Sequence, residues 1–302
     1  MPLLIDQVAL HRRTDGVIAV TGPDRQTYLH SLLSQDLADA RAGTVADFLY
    51  LDAKGDPIAV GTAVVHAEQV LLVVPADIAA ATAERLDNFR FMMQVEVANR
   101  SGDWSIASIR GPGQVEAPGA RSQPMTAAPH GPGLVVRERD GGVDLLGPTD
   151  WVGERVDELD LPAANQEDWE RWRIAAGRPA WQAEVASGRR TQELGLLPTH
   201  VHLRKGCYPG QESIAKIHNL GRPRRALAVV RSDASLAPGM PLGEGRRPGE
   251  VTSAAAMPDG GTIALALVPL EDGVLPPSLT LGDGTVVTVT ARVGEGLTQP
   301  GA

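Results

Sequence analysis

The chain has 302 residues, too long for one small core and enough for two or three compact units. Its 28 Lys+Arg against 37 Asp+Glu leave a formal charge of −9, which argues against a general nucleic-acid binder, and 11 aromatic residues are too few for a base-stacking platform. Ordinary proportions of hydrophobic (43%) and charged (22%) residues exclude wholesale disorder, and a single cysteine excludes a disulfide framework or an all-cysteine zinc or iron–sulfur site held by this chain alone.

Met1–Leu10 lacks the basic region of a secretory signal, and no apolar run approaches the ~18 residues that span a membrane. The expectation is a soluble, cytoplasmic protein. Val17–Val20 reads as a short buried strand closed by Gly22, with Pro23 suited to the first turn of a helix. Tyr28, Leu29, Leu32 and Leu33 then recur at helical spacing as far as Asp36. Val45–Leu51 and Ile58–Val65 read as a hairpin around Asp52-Ala53-Lys54-Gly55, where Gly55 supplies the turn. Val70–Val74 is a third strand. A helix follows with Asp77 in its first turn and Ile78, Leu86 and Phe89 towards a core. Together these predict an antiparallel sheet covered by a helix.

Gly111–Gly133 is rich in Gly, Pro and Ala and reads as a surface excursion or a connection between subdomains. Gln166–Ala176 is helical in pattern, with Trp169, Trp172 and Ala176 on one face and Gly177 as its stop. After Gly221, Ala226–Arg231, Ile263–Val268, Leu279–Leu281 and Val286–Val293 are short β-rich runs between Pro/Gly turns. They predict a small all-β terminal domain, a barrel or sandwich.

The chemistry concentrates in Leu203–Arg225, LRKGCYPGQESIAKIHNLGRPRR. Cys207 lies beside Lys205, and a nearby ammonium favours thiolate over thiol. Gly206 and Gly210 permit close backbone approach, Tyr208 helps shape the site, and Gln211 and Glu212 can polarise a group that meets the sulfur. Arg204, Lys205, Lys216, Arg222, Arg224 and Arg225 against Glu212 give this stretch a local charge of +5, an anion-attracting feature. By default a lone cysteine is a small buried hydrophobe, and an arginine run is a solvated rim. His200, His202 and His218 flank the cysteine, but the separations (five residues from His202, eleven to His218) match no common metal pattern, so no metal is expected.

Lys205-Gly206-Cys207-Tyr208-Pro209-Gly210-Gln211-Glu212 resembles the KGC-aromatic-x-GQE signature of the YgfZ family, folate-binding, aminomethyltransferase-like proteins of iron–sulfur protein maturation and tRNA modification. Val17–Gly22 with Pro23-Asp24 is similar to the family's opening unit, and Asp52–Gly55 to its hairpin. Arg173-Ile174-Ala175-Ala176-Gly177-Arg178-Pro179 is similar to its R-x-E-x-G-x-P segment, and His218–Gly221 with Arg224–Leu227 to the entry of its terminal barrel. Ala175 departs from a Glu expected to hydrogen-bond the pterin, and Gly16 from a tryptophan found in some relatives.

The resemblance implies an α+β, three-part aminomethyltransferase-like fold around a central folate channel, ending in an all-β barrel. On this reading residues 1–221 form the folate-binding region, with a hairpin-rich subdomain at about 45–110, and 222–302 the barrel. The implied cofactor is tetrahydrofolate or a derivative, lined by Asp52, Lys54 and Arg173. Cys207 and Lys205 would be the reactive pair, and Arg222, Arg224 and Arg225 an anion patch. Implied partners are iron–sulfur client enzymes or assembly proteins, with a weak tRNA contact. A glycine-cleavage aminomethyltransferase and a non-catalytic folate sensor or tRNA-associated regulator are the alternatives.

Overall fold

A computed structural model describes residues 4–186, 188–220, 223–243 and 248–297, with the backbone alone for 217–220. These residues fall into two compact units. One holds the described residues of 3–165 together with 200–209, and the other those of 166–199 and 210–302.

The first unit is built on two antiparallel sheets. Its first sheet has the order β3-β4-β5-β2-β6, from β2 (Gly16–Thr21), β3 (Val45–Leu51), β4 (Pro57–Val65), β5 (Gln69–Val74) and β6 (Glu96–Asn99). Its second has the order β1-β7-β10-β9-β8, from β1 (Ala9–Arg13), β7 (Trp104–Arg110), β8 (Thr126–His130), β9 (Gly133–Arg137) and β10 (Val143–Pro148). Strand β2 explains the unbroken apolar run at its centre. Ile18 and Val20 enter a core shared with α1 (Arg25–Leu32) and α2 (Ala76–Asn88), while Val17 and Ala19 enter the core between the two sheets. A strand covered on both faces needs apolar side chains at every position. The far face of the second sheet carries Trp151 and Val152 of α3 (Thr149–Leu159).

The Gly/Pro-rich excursion packs against that same face and is fastened by Arg137, 1% exposed, at the end of β9. Its guanidinium donates to the carbonyls of Arg121 (2.8 Å), Val115 (2.5 Å) and Gly141 (2.6 Å). Three of the bonds that would otherwise be lost on burying a cation are thereby supplied by irregular backbone.

In the second unit, α4 (Gln166–Ala175) is followed by a π-helical turn at Trp181–Val185, the short helix α5 (Leu197–His200) and α6 (Gln211–Leu220). The strands β11 (Arg225–Ser232), β12 (Pro241–Leu242), β13 (Gly249–Ala256), β14 (Thr262–Pro269), β15 (Ser278–Thr280) and β16 (Val286–Arg292) form one nearly closed antiparallel sheet, ordered β12-β13-β14-β11-β16-β15. This is the expected C-terminal barrel. Helix α4 packs on β13 and β14, and Arg171 donates to the Ala256 carbonyl at 2.8 Å. Residues 166–199 therefore go with the barrel, whereas the sequence placed the change of domain at 221.

Two local expectations shift. The first helix stops at Leu32 instead of reaching Asp36, and Phe89, expected in the core, is 41% exposed just beyond α2. Gly16 has a packing role: a Cβ there would lie 2.3 Å from the Ala79 Cβ and 2.9 Å from the Ser101 Oγ. A tryptophan has no room at this point. Gly16→Ala is expected to destabilise the protein by about 1–3 kcal/mol through overpacking of β2 against α2. Chemical denaturation measures this, and an unchanged midpoint would refute the tight contact.

Candidate functional site

The segment His200–Pro209 lies with the first unit. Its anchor is Lys205, whose residue exposure is only 7%. The ammonium donates to three carbonyls at and just beyond the end of α1, those of His30, the capping Leu33 (2.6 Å) and Gln35 (3.1 Å). A helix leaves its last carbonyls without intrahelical partners, and its C-terminus favours a cation, so the lysine meets both needs. The Tyr208 ring stacks beneath it, with Nζ 4.9 Å from the centroid. Burial lowers the Lys205 pKa to about 8, opposed by Asp36, and pushes the Tyr208 phenol up to about 12.

Ser34 holds the same segment from the other end. Its Oγ donates to the His200 carbonyl at 2.5 Å and accepts the Leu49 amide of β3 at 2.8 Å. Its carbonyl accepts the His202 amide at 2.9 Å. Beside these contacts stands His30. Its Nδ1 lies 3.0 Å from the Asp36 Oδ1 and 3.4 Å from the Leu37 amide. The Leu37 amide donates to Nδ1, and the Asp36 carboxylate lies against the same nitrogen. Burial and then the Lys205 charge lower the His30 pKa, against the pull of Asp36, so the ring is neutral at neutral pH. A Cβ on Gly206 would come within 3.5 Å of Nε2, so this imidazole faces the glycine next to Cys207. Cys207 itself is exposed.

The motif thus divides in two. Lys205–Pro209 belongs to the first unit, whereas Gly210, Gln211 and Glu212 open α6 in the second. Gly210 has φ +78°, and its carbonyl accepts the Ile214 amide at 3.3 Å. Glu212 lies in the first turn, where the helix dipole favours an anion.

The other sequence-derived residues are placed as follows. Asp52 Oδ1 accepts the amides of Lys54 (2.8 Å) and Asp56 (2.9 Å), and those bonds hold its pKa below the usual carboxylate range. Lys54 is exposed on the same turn. Arg173, in α4 of the second unit, is 7% exposed. It donates to Glu170 (2.6 Å) and the Arg178 carbonyl (2.7 Å) and lies 3.5 Å from Glu184, which is itself wholly buried. Arg225 pairs with Glu193 at 3.4 Å, Arg224 is exposed, and Arg222 lies outside the described residues. Reading along the sequence did not single out His30 or Ser34. The only signal for them was the polar cluster at the end of the first helix.

A tetrahydrofolate needs paired donors and acceptors at its pterin edge and cations at its glutamate tail. Asp52 holds its own turn together, Arg173 is engaged by carboxylates and a carbonyl, and Ala175 offers no polar atom. Among the described residues, no group of three or more His, Cys, Asp or Glu side chains could hold a metal ion, and no helix is long and apolar enough to cross a membrane.

No family model matches the chain. It is 23% identical over 293 residues to the tRNA-modifying protein YgfZ of Colwellia psychrerythraea, covering 86% of this chain and 85% of that protein. The chain is similar to the YgfZ proteins over most of its length. It is also 24% identical to a chloroplastic Arabidopsis thaliana protein provisionally named a transferase, covering 89% of this chain and 66% of that protein. It therefore spans just under two thirds of that relative. Among solved structures, the glycine cleavage system aminomethyltransferase T of Bartonella henselae superposes with a TM-score of 0.76 at 16% identity, over 98% of this chain and 88% of that one. The fold is that of the aminomethyltransferases.

The buried lysine generates a pH dependence. Its pKa is lower in the folded chain than in the unfolded one, so between about pH 8 and the usual lysine value the unfolded chain binds more protons. Stability is expected to rise with pH across that window. Thermal unfolding of the wild type and Lys205→Met measures it, and the rise is expected to be smaller in the variant.

Proposed function

We propose that this protein is a folate-dependent accessory factor for assembly or repair of iron–sulfur enzymes, including those that thiolate tRNA, with Cys207 as its reactive thiol. Cys207 carries this reading. The chain's only thiol stands exposed on a segment whose Lys205 and Tyr208 are buried, inside a motif that resembles the YgfZ signature. The likeness to a tRNA-modifying protein supports the tRNA-linked part, and the aminomethyltransferase fold supports a folate ligand. The thiol and iron–sulfur parts are inferred from the motif.

One cysteine cannot hold a cluster, so the remaining thiolates come from a client enzyme, an assembly protein or a small thiol. The protein works in the cytoplasm on this reading, with a weak tRNA contact through exposed Arg224. Glycine-cleavage aminomethyl transfer is the second reading, favoured by the fold likeness alone. Robust turnover with a lipoyl carrier protein would establish it in place of the first.

Two measurements test the leading reading. Cys207→Ala is expected to restore less than a tenth of wild-type iron–sulfur enzyme activity to a strain lacking the protein; full restoration would sink the thiol role. Ala175→Glu is expected to tighten tetrahydrofolate binding at least tenfold in calorimetry, since a charge-assisted hydrogen bond contributes roughly 1.5–3 kcal/mol. Absence of binding by both forms would refute the folate ligand.

A further inference from the structure

Ten consecutive residues, His200–Pro209, are counted with the first unit, while the chain on both sides of them is counted with the second. From Val201 onward the segment contains no helix or strand that could hold it in place. Two side chains of known hydrogen bonding fasten it to the first unit. Ser34 takes the leading end through the His200 carbonyl (2.5 Å) and the His202 amide (2.9 Å), and is itself tied to β3 through both the amide and the carbonyl of Leu49. Lys205 takes the trailing end through the carbonyls of His30, Leu33 and Gln35. An ammonium has three N–H donors, and three carbonyls accept them. The Tyr208 ring is a further close neighbour, and the Asp36 carboxylate also acts on the ammonium. None of these contacts is to the Cys207 sulfur, although the sequence alone suggested that the lysine activates the thiol.

We propose that Lys205 and Ser34 form a two-point clasp that positions Cys207, and that Lys205 is a positioning residue, acting through the segment it fastens and not by holding the thiolate. This rests on the reading of Cys207 as the working group. The two roles separate because Ser34 carries no charge. If fastening is what matters, loss of the Ser34 hydroxyl and loss of the Lys205 ammonium have the same consequence. If the ammonium's field is what matters, only the lysine counts.

The experiment uses the full chain as wild type, Ser34→Ala, Lys205→Met and the double variant. Three quantities are read: amide hydrogen exchange of peptides covering 200–209, the pH profile of Cys207 alkylation by iodoacetamide, and restored iron–sulfur enzyme activity in a strain lacking the protein. Exchange is expected to rise at least tenfold in each single variant, and activity to fall at least tenfold. The double variant is expected to fall no more than about twofold below the worse single, because two fasteners of one segment are not additive. The alkylation profile is expected to move equally in both singles. Ser34→Thr, which keeps the hydroxyl, is expected to retain protection. If Lys205→Met does not fold, Ser34→Ala against Ser34→Thr carries the comparison.

The proposal is overturned if exchange is unchanged in the singles, or if activity survives loss of protection while Cys207→Ala is inactive. It is also overturned if Lys205→Met shifts the alkylation profile to higher pH while Ser34→Ala leaves profile and activity untouched. Faster exchange alongside full activity in Cys207→Ala has a separate meaning. The clasp then stands, and the functional reading of the thiol fails.

Discussion

An ammonium group set against the open end of a helix organises this molecule's candidate site. Helix α1 terminates with carbonyls that no residue of the helix can satisfy, and the cation that meets them comes from about 170 residues downstream. Burial alone disfavours the charged lysine, so the contact depends on three well-placed carbonyls and an aromatic face to offset desolvation. Each element is therefore needed for the others. Without α1 ending at Leu32 there is no acceptor set, and without the cation the segment bearing Cys207 loses the fastening nearest the thiol.

The parts of the fold legible in sequence were those whose environment is uniform along the strand. Strand β2, apolar on both faces, and the hairpin β3–β4 are visible letter by letter. Strand β1 is not, because its letters Ala-Leu-His-Arg-Arg read as surface although Ala9, Leu10 and His11 are buried. Two arginines of the second sheet, Arg13 and Arg110, lie inward and share a partner that is distant in sequence. Arg13 meets Asp144 at 2.9 Å, Arg110 meets the same carboxylate at 2.7 Å, and Ser108 donates to it at 2.7 Å. Polarity in a strand signals exposure only when no such partner exists, and a one-dimensional pattern holds no record of partners.

The same limit applies to the site. The motif around Cys207 was visible because its residues are adjacent. That its lysine turns towards a helix end was not, since adjacency to a cysteine and direction towards it are different properties. His30 was hidden for a related reason. A histidine in the last turn of a helix, with Asp36 six residues on, becomes chemically particular only when Gly206 arrives beside its Nε2. Gly16 is the converse case: an absent side chain reads as a missing ligand contact in sequence and as close packing of strand on helix in space.

The Gly/Pro-rich excursion between β7 and β8 has the composition of a place where a chain is easily cut or lengthened. Arg137 makes it otherwise. Proteases draw their substrates into an extended strand, and here the carbonyls of Val115 and Arg121 are held by a buried guanidinium and cannot be drawn out without exposing it. A tag or reporter domain spliced between those two carbonyls would meet the same resistance, so the least regular stretch of the chain is a poor seam for engineering.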